Sequence, residues 1–144
     1  MKNTINKYFE VKVKLQKTME DGQQKKVSEQ YVVEAATFGE AERRIAECLK
    51  PYIDGEFEVT DIKIAGYGQI INDNQDADKF FKAKVSFITL DETTGKEKKT
   101  SELYLVQSDT LESAESDVKS FLNDNNTTIS SISETAILDV FPLD

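Results

Sequence analysis

Gly22-Gln23-Gln24-Lys25-Lys26-Val27-Ser28-Glu29-Gln30-Tyr31-Val32-Val33 and Gly95-Lys96-Glu97-Lys98-Lys99-Thr100-Ser101-Glu102-Leu103-Tyr104-Leu105-Val106 are two copies of one stretch. The match continues without gaps from Gly22–Leu49 onto Gly95–Leu122, at an offset of 73, with 11 of 28 positions identical. Upstream, Lys7–Val13 matches Lys79–Val85 at an offset of 72, so one copy has a turn longer by a single residue. Two copies of this length do not make a solenoid. The chain reads as two similar halves, 1–72 and 73–144, related by a pseudo-two-fold axis and packed as one globular unit.

Each half spells the same elements. Phe9, Val11, Val13 and Leu15 alternate with Glu10, Lys12 and Lys14, and Phe81, Ala83, Val85 and Phe87 alternate with Lys82, Lys84 and Ser86. Period two is a half-buried strand. A polar turn follows, at Gly22 or Gly95, where glycine accepts positive φ and closes a hairpin. The second strand carries Tyr31 and Val33, or Tyr104 and Val106. Then comes a helix. Thr37 with Glu40 forms a capping box, and in the second copy Asp109 with Glu112 does the same or Thr110 caps alone. Phe38, Ala41, Ile45, Cys48 and Leu49 make one apolar stripe, repeated by Leu111, Ala114, Val118, Phe121 and Leu122. Pro51 and the run Asn123-Asp124-Asn125-Asn126 stop the two helices. A third strand region, Phe57–Ala65 or Thr128–Val140, closes each half, and Gly66 and Gly68 break the first. The predicted fold is α+β: two ββαβ halves, each an antiparallel sheet covered by one helix. Residues 72–78 connect them. Tyr8, Phe80, Val32, Leu105, Leu103 and Ile88 point away from the helices, so a lone half leaves too much apolar surface bare.

Composition restricts the chemistry. The 144 residues hold 18 Lys+Arg, 27 Asp+Glu, one Cys and no His, for a net charge of -9. The commonest general base and metal ligand is missing. One cysteine allows neither an intrachain disulfide nor a multi-cysteine zinc site. Cys48, on the apolar stripe opposite Phe121 in the repeat, reads as a buried packing residue and not a nucleophile. No apolar run reaches the length of a membrane span, and Met1–Glu10 has no signal-peptide core. A reducing cytoplasm fits both, and no membrane partner is implied. The expectation is a non-enzymatic chain with no catalytic residues, no metal site and no cofactor. Asn72–Asp78 is oxygen-rich but lacks the glycine and glutamate of a calcium loop, so it reads as a solvated linker. Gly66-Tyr67-Gly68 reads as a bend or bulge, not a phosphate cradle. Arg43 and Arg44 are placed to pair with Glu40 and Glu47 along the helix.

Lys-Lys-x-Ser-Glu-x-Tyr occurs twice, and exposed lysines that persist through a duplication invite a functional reading. The candidate binding surface is Lys25, Lys26, Lys98 and Lys99 on the hairpins, with Lys12, Lys84, Tyr8 and Phe80 on the outer strand faces. The plainer reading is that lysines at strand edges discourage unwanted pairing and meet Glu across the hairpin. The first functional reading is a protein-binding module that uses sheet edges or outer sheet faces, with an unidentified protein partner and room for a homo-oligomer. The alternative is single-stranded nucleic acid held by Lys-rich strands beside stackable rings. Overall charge opposes that, though residues 1–72 carry 11 basic and 12 acidic side chains, a net of -1, against 7 and 15 in residues 73–144.

The chain also resembles a domain-of-unknown-function family of short acidic proteins from Bacteroidetes gut bacteria. The resemblance rests on Tyr8-Phe9-Glu10-Val11-Lys12-Val13, Lys17-Thr18-Met19-Glu20-Asp21-Gly22 and Gly55-Glu56-Phe57-Glu58-Val59-Thr60-Asp61-Ile62-Lys63. Phe87-Ile88-Thr89-Leu90-Asp91-Glu92 and Glu134-Thr135-Ala136-Ile137-Leu138-Asp139-Val140-Phe141-Pro142 extend it over nearly the whole chain. It implies a bacterial cytoplasmic protein, from prophage or mobile-element neighbourhoods, and offers no functional residues to carry over.

Overall fold

The alternation in the duplicated stretch builds two long hairpins. In the computed structural model, which describes residues 6–123 and 127–143, β1 (Lys7–Thr18) pairs antiparallel with β2 (Gln24–Ala35), and β5 (Lys79–Leu90) with β6 (Glu97–Ser108). The offset change lies in the turns. Residues 19–23 close the first hairpin and the longer 91–96 the second, each with its glycine at positive φ, 83° at Gly22 and 71° at Gly95. In the longer turn the Asp91 carboxylate accepts from the amides of Thr93 and Thr94, which hold its carboxyl below the ordinary range.

The helices α1 (Phe38–Leu49) and α2 (Leu111–Leu122) each pack on one sheet face. Ala41, Ile45 and Leu49 are buried against Phe9, Val11, Val13, Tyr31 and Val33; Ala114 and Val118 are buried against Phe81, Ala83, Val85, Tyr104 and Val106. The margins of the predicted stripes are less covered. Phe38 is half exposed while its ring meets Phe9 edge-on, Phe121 does the same with Tyr104, and Cys48 is only half-buried. The first capping box closes one residue early: Thr37 Oγ1 accepts from Glu40 N, and Glu40 reaches back to the amide of Ala36. In the second copy Thr110 is the cap, accepting from Ser113 N at 3.1 Å. Asn123 ends α2 in the left-handed region; Asp124, Asn125 and Asn126 of the stop signal lie outside the described residues, as do Met1–Ile5.

The protein is thus α+β with two similar halves, and each third strand region divides in two. β3 (Phe57–Ala65) pairs antiparallel with β1, and β7 (Thr127–Glu134) with β5. Both interrupt their register at the same repeat position, opposite Lys12/Val13 and Lys84/Val85. The last pieces part company with their own copies. β4 (Tyr67–Ile71) runs parallel to β6, and β8 (Ile137–Phe141) parallel to β2. The registers agree through the repeat: Val140 faces Val32 as Ile70 faces Leu105, and each pairing slips one residue earlier, before Asp139 and before Gln69. The sheets are β3-β1-β2-β8 and β4-β6-β5-β7, each three antiparallel strands with a parallel fourth. Two compact units result, one from Met1–Ala65 with Ala136–Asp144, the other Gly66–Thr135. They differ from the repeat bounds, 1–72 and 73–144, by one exchanged strand each.

On the sheet sides away from the helices, Val32, Leu105 and Phe80 are buried, at 0%, 0% and 1% exposure, and belong to neither helix-side cluster.

Candidate interaction surface

The repeated lysine pairs sit on the hairpin ends and are all exposed. Neighbouring residues of a strand point to opposite faces. Lys25 therefore shares the helix-side face with Lys17, its register partner, while Lys26 shares the outer face with Gln16. Lys98 faces Thr89 and Lys99 faces Ile88. Neither pair forms a joint cationic patch, and Glu20 and Asp21, or Asp91, Glu92 and Glu97, stand at the same tips. On the helix side of the first hairpin, the Lys17 ammonium reaches the nearly buried Glu29 carboxylate at 2.6 Å. Tyr31 Oη donates to the same carboxylate at 2.9 Å. Burial first, then this hydrogen bond and charge, push the Tyr31 phenol up from its ordinary value.

The outer face of each sheet is where the copies diverge. In the first unit, Glu10 stands opposite Lys63, Lys12 opposite Asp61 and Lys14 opposite Glu58. Glu10, Lys12 and Lys14 of β1 each face a counter-charge on β3, and Lys63 approaches Glu10 at 3.5 Å. At the equivalent places of the second unit, Lys82 stands opposite Ser133, Lys84 opposite Ser131 and Ser86 opposite Thr128. On their other flank Lys82 and Lys84 face Leu105 and Leu103. Both lysines are exposed, and neither makes an ion pair among the described residues. Yet this is the more acidic unit: residues 66–135 hold 7 basic and 13 acidic side chains, a net of -6. Its acids gather around α2 (Asp109, Glu112, Glu115, Asp117), before β5 and at the hairpin tip.

The aromatic candidates fall into different settings. Phe80 is 1% exposed, so its ring offers no face to a base. Tyr8 is half-buried opposite Glu34, and burial and that carboxylate raise its phenol. Arg44 does not pair along the helix. Its guanidinium donates to the carbonyls of Glu34 (2.6 Å), Phe141 (3.3 Å) and Pro142 (3.3 Å), tying the end of β8 to the first unit. The connection at 72–78 is also fixed, with the Gln107 side chain donating to Ala77 O at 2.7 Å. Among the described residues, no group of three or more His, Cys, Asp or Glu is placed to hold a metal ion. An open groove of about 720 Å³ beside the first hairpin mixes Lys14 and Lys26 with Asp54, Glu56 and Glu58 around Phe57.

Sequence reasoning found the lysines but missed Ser131 and Ser133 opposite them. Their signal is the change from charged to hydroxyl residues, Lys63 to Ser133 and Asp61 to Ser131, between two strands whose shared bulge conceals the alignment.

The fold is therefore that of a duplicated α+β protein whose distinguishing surface is sheet, not pocket. The chain belongs to a family described as a domain of unknown function, DUF4494, whose model matches residues 7–143. Neither the curated proteins nor the solved structures give a match.

Proposed function

We propose that the protein is a non-enzymatic binding module that takes a protein partner on its sheet edges and outer sheet faces. The observation that supports this best is the state of the outermost strands. β3 and β7 each end a sheet, with no strand beyond them among the described residues, and most of their side chains are exposed. An open strand is a template for main-chain hydrogen bonds from another chain. A second copy of this chain is one protein such an edge accepts. The setting, a bacterial cytoplasm in Bacteroidetes, is carried over from the motif resemblance.

The second reading, single-stranded nucleic acid, is favoured by Lys82 and Lys84, which face no carboxylate in register. It loses the ring of Phe80 as a stacking platform. Photo-crosslinking in cells separates the two. A photoreactive residue at Asp61 or Ser133 should give adducts that protease removes and nuclease does not, whereas one at Glu42 or Glu115 on the helices should give few. Nuclease-sensitive adducts, or equal yields from helices and edges, would overturn the protein-binding reading.

A further inference from the structure

The two outer faces are one design in two states of charge. In the first unit β3 brings its own acids, and Asp61 and Glu58 lie one strand spacing from Lys12 and Lys14. In the second unit β7 brings hydroxyls to the same places. Serine and threonine are short, so they leave the space above β7 open to the side chains of β5. The four-carbon stems of Lys82 and Lys84 are long enough to reach past Ser133 and Ser131, which face them in register, toward the sheet edge. A strand added beyond β7 would run about 10 Å from β5, two strand spacings away. A carboxylate on its outer face would give Lys84 from outside the partner that Asp61 gives Lys12 internally, and would give one to Lys82, whose first-unit counterpart Glu10 faces Lys63.

We propose that the open edge of β7 takes up an extended acidic segment of another protein, with alternate carboxylates set against Lys82 and Lys84. This rests on the edge-binding reading above and names the chemistry of the partner. The two lysines are two residues apart on one strand, so the fitting pattern is acidic-x-acidic, the repeat of a pleated strand. The intervening residue faces the helix side, next to half-buried Ile129 and Ile132 of β7, and is apolar or β-branched. Nucleic acid fits less well. A phosphate chain has no regular main-chain donors and acceptors for a strand edge, and a long polyanion also meets the acids that give this unit its net charge of -6.

The test uses the full chain and a dye-labelled peptide alternating Glu with Val and Thr. Controls are a Lys-for-Glu peptide of the same spacing and an oligo-dT strand of similar length. The acidic peptide should bind, weaken with salt, and move the amide resonances of residues 127–133 more than any others. Lys82→Ser with Lys84→Ser should weaken it by at least about tenfold, since the charges meet at a partly desolvated edge. Lys14→Ser with Lys63→Ser in the first unit should leave it unchanged. An acidic peptide that fails to bind, binds equally to the Lys82/Lys84 double variant, or is outcompeted by oligo-dT overturns the proposal. If the peptide fails while edge positions still crosslink to protein in cells, the edge-binding reading stands and only the acidic partner is lost.

Discussion

Glu29 is the residue whose environment is most demanding. It is 9% exposed, and it is held by the Tyr31 hydroxyl and the Lys17 ammonium. The repeat keeps both residue types at Glu102 and Tyr104, but Glu102 is exposed, against the bare backbone of Gly68, where a Cβ would overlap its side chain. One motif thus serves two settings. Tyr31 ties the motif to stability. Its phenol is raised, so the folded chain favours the neutral form. That contribution is whole below about pH 10, the ordinary tyrosine value, and is lost as pH rises through the folded value. Urea unfolding across the alkaline range should show stability falling, and Tyr31→Phe should flatten part of that fall. At neutral pH the same variant should cost about 1–2 kcal/mol, because a nearly buried carboxylate loses a donor. An alkaline profile unchanged by Tyr31→Phe would contradict the assignment.

At the scale of elements, the strand exchange of the first unit is held by the β2–β8 ladder, by the stacking of Phe141 on Tyr31 and by Arg44. Its guanidinium joins the carbonyls of β2 and of the segment ending β8. The equivalent residue on α2 is Asp117, which cannot donate. Arg44→Ala should therefore destabilise the first unit by about 1.5–3 kcal/mol, the range for hydrogen bonds from a charged donor. Hydrogen exchange should quicken first at residues 137–141, with 67–71 unaffected. Equal quickening in both would mean that Arg44 does not anchor β8. Hairpins, helices and the Thr37 cap were legible because period two, a 3.6-residue stripe and Thr-x-x-Glu are local signals. The choice of Thr110 over Asp109 as the second cap was open, since either side chain reaches the first turn. The interruption at Gly66 was legible too, but the sheet each piece would join was not. Ile70 and Ile71 suit β2 as well as β6, and Val140 and Phe141 suit β6 as well as β2, because the copies share one pattern. Of the candidate site, alternation put Lys12, Lys84 and Phe80 on outer faces. It could not show that Phe80 is covered or that serines oppose Lys84, since facing direction says nothing of what lies across or above.

For the whole molecule, the repeat and the compact unit offer different cuts. Residues 66–135 contain all four strands of one sheet and its helix in one contiguous segment. Residues 1–72 lack β8, the parallel partner of β2, and carry β4, which pairs with β6. The segment 66–135 should express in folded form with a cooperative melt. Residues 1–72 should be unfolded, aggregated or associated through their unmatched strand. Circular dichroism with light scattering on the two fragments decides this, and a stable folded monomer of 1–72 alone would count against the exchange as a structural requirement. The charge asymmetry takes its meaning at this scale as well. The more acidic unit keeps most of its acids around the helix, linker and turn and shows Lys82 and Lys84 on its outer sheet face, so its net charge does not describe the charge of that face.

The exchange also sets an order of events during synthesis. A ribosome delivers β1, β2, α1 and β3 first, yet the edge of β2 waits for β8, which follows every other strand in the sequence. The later unit can close once residue 135 has emerged, while the earlier one stays open until 137–141 are released. Contacts so distant in sequence form slowly, and an unpaired strand edge is prone to wrong pairing in the interval. A product cut short within β8 would leave that edge of β2 without its parallel partner, open to pairing with another chain.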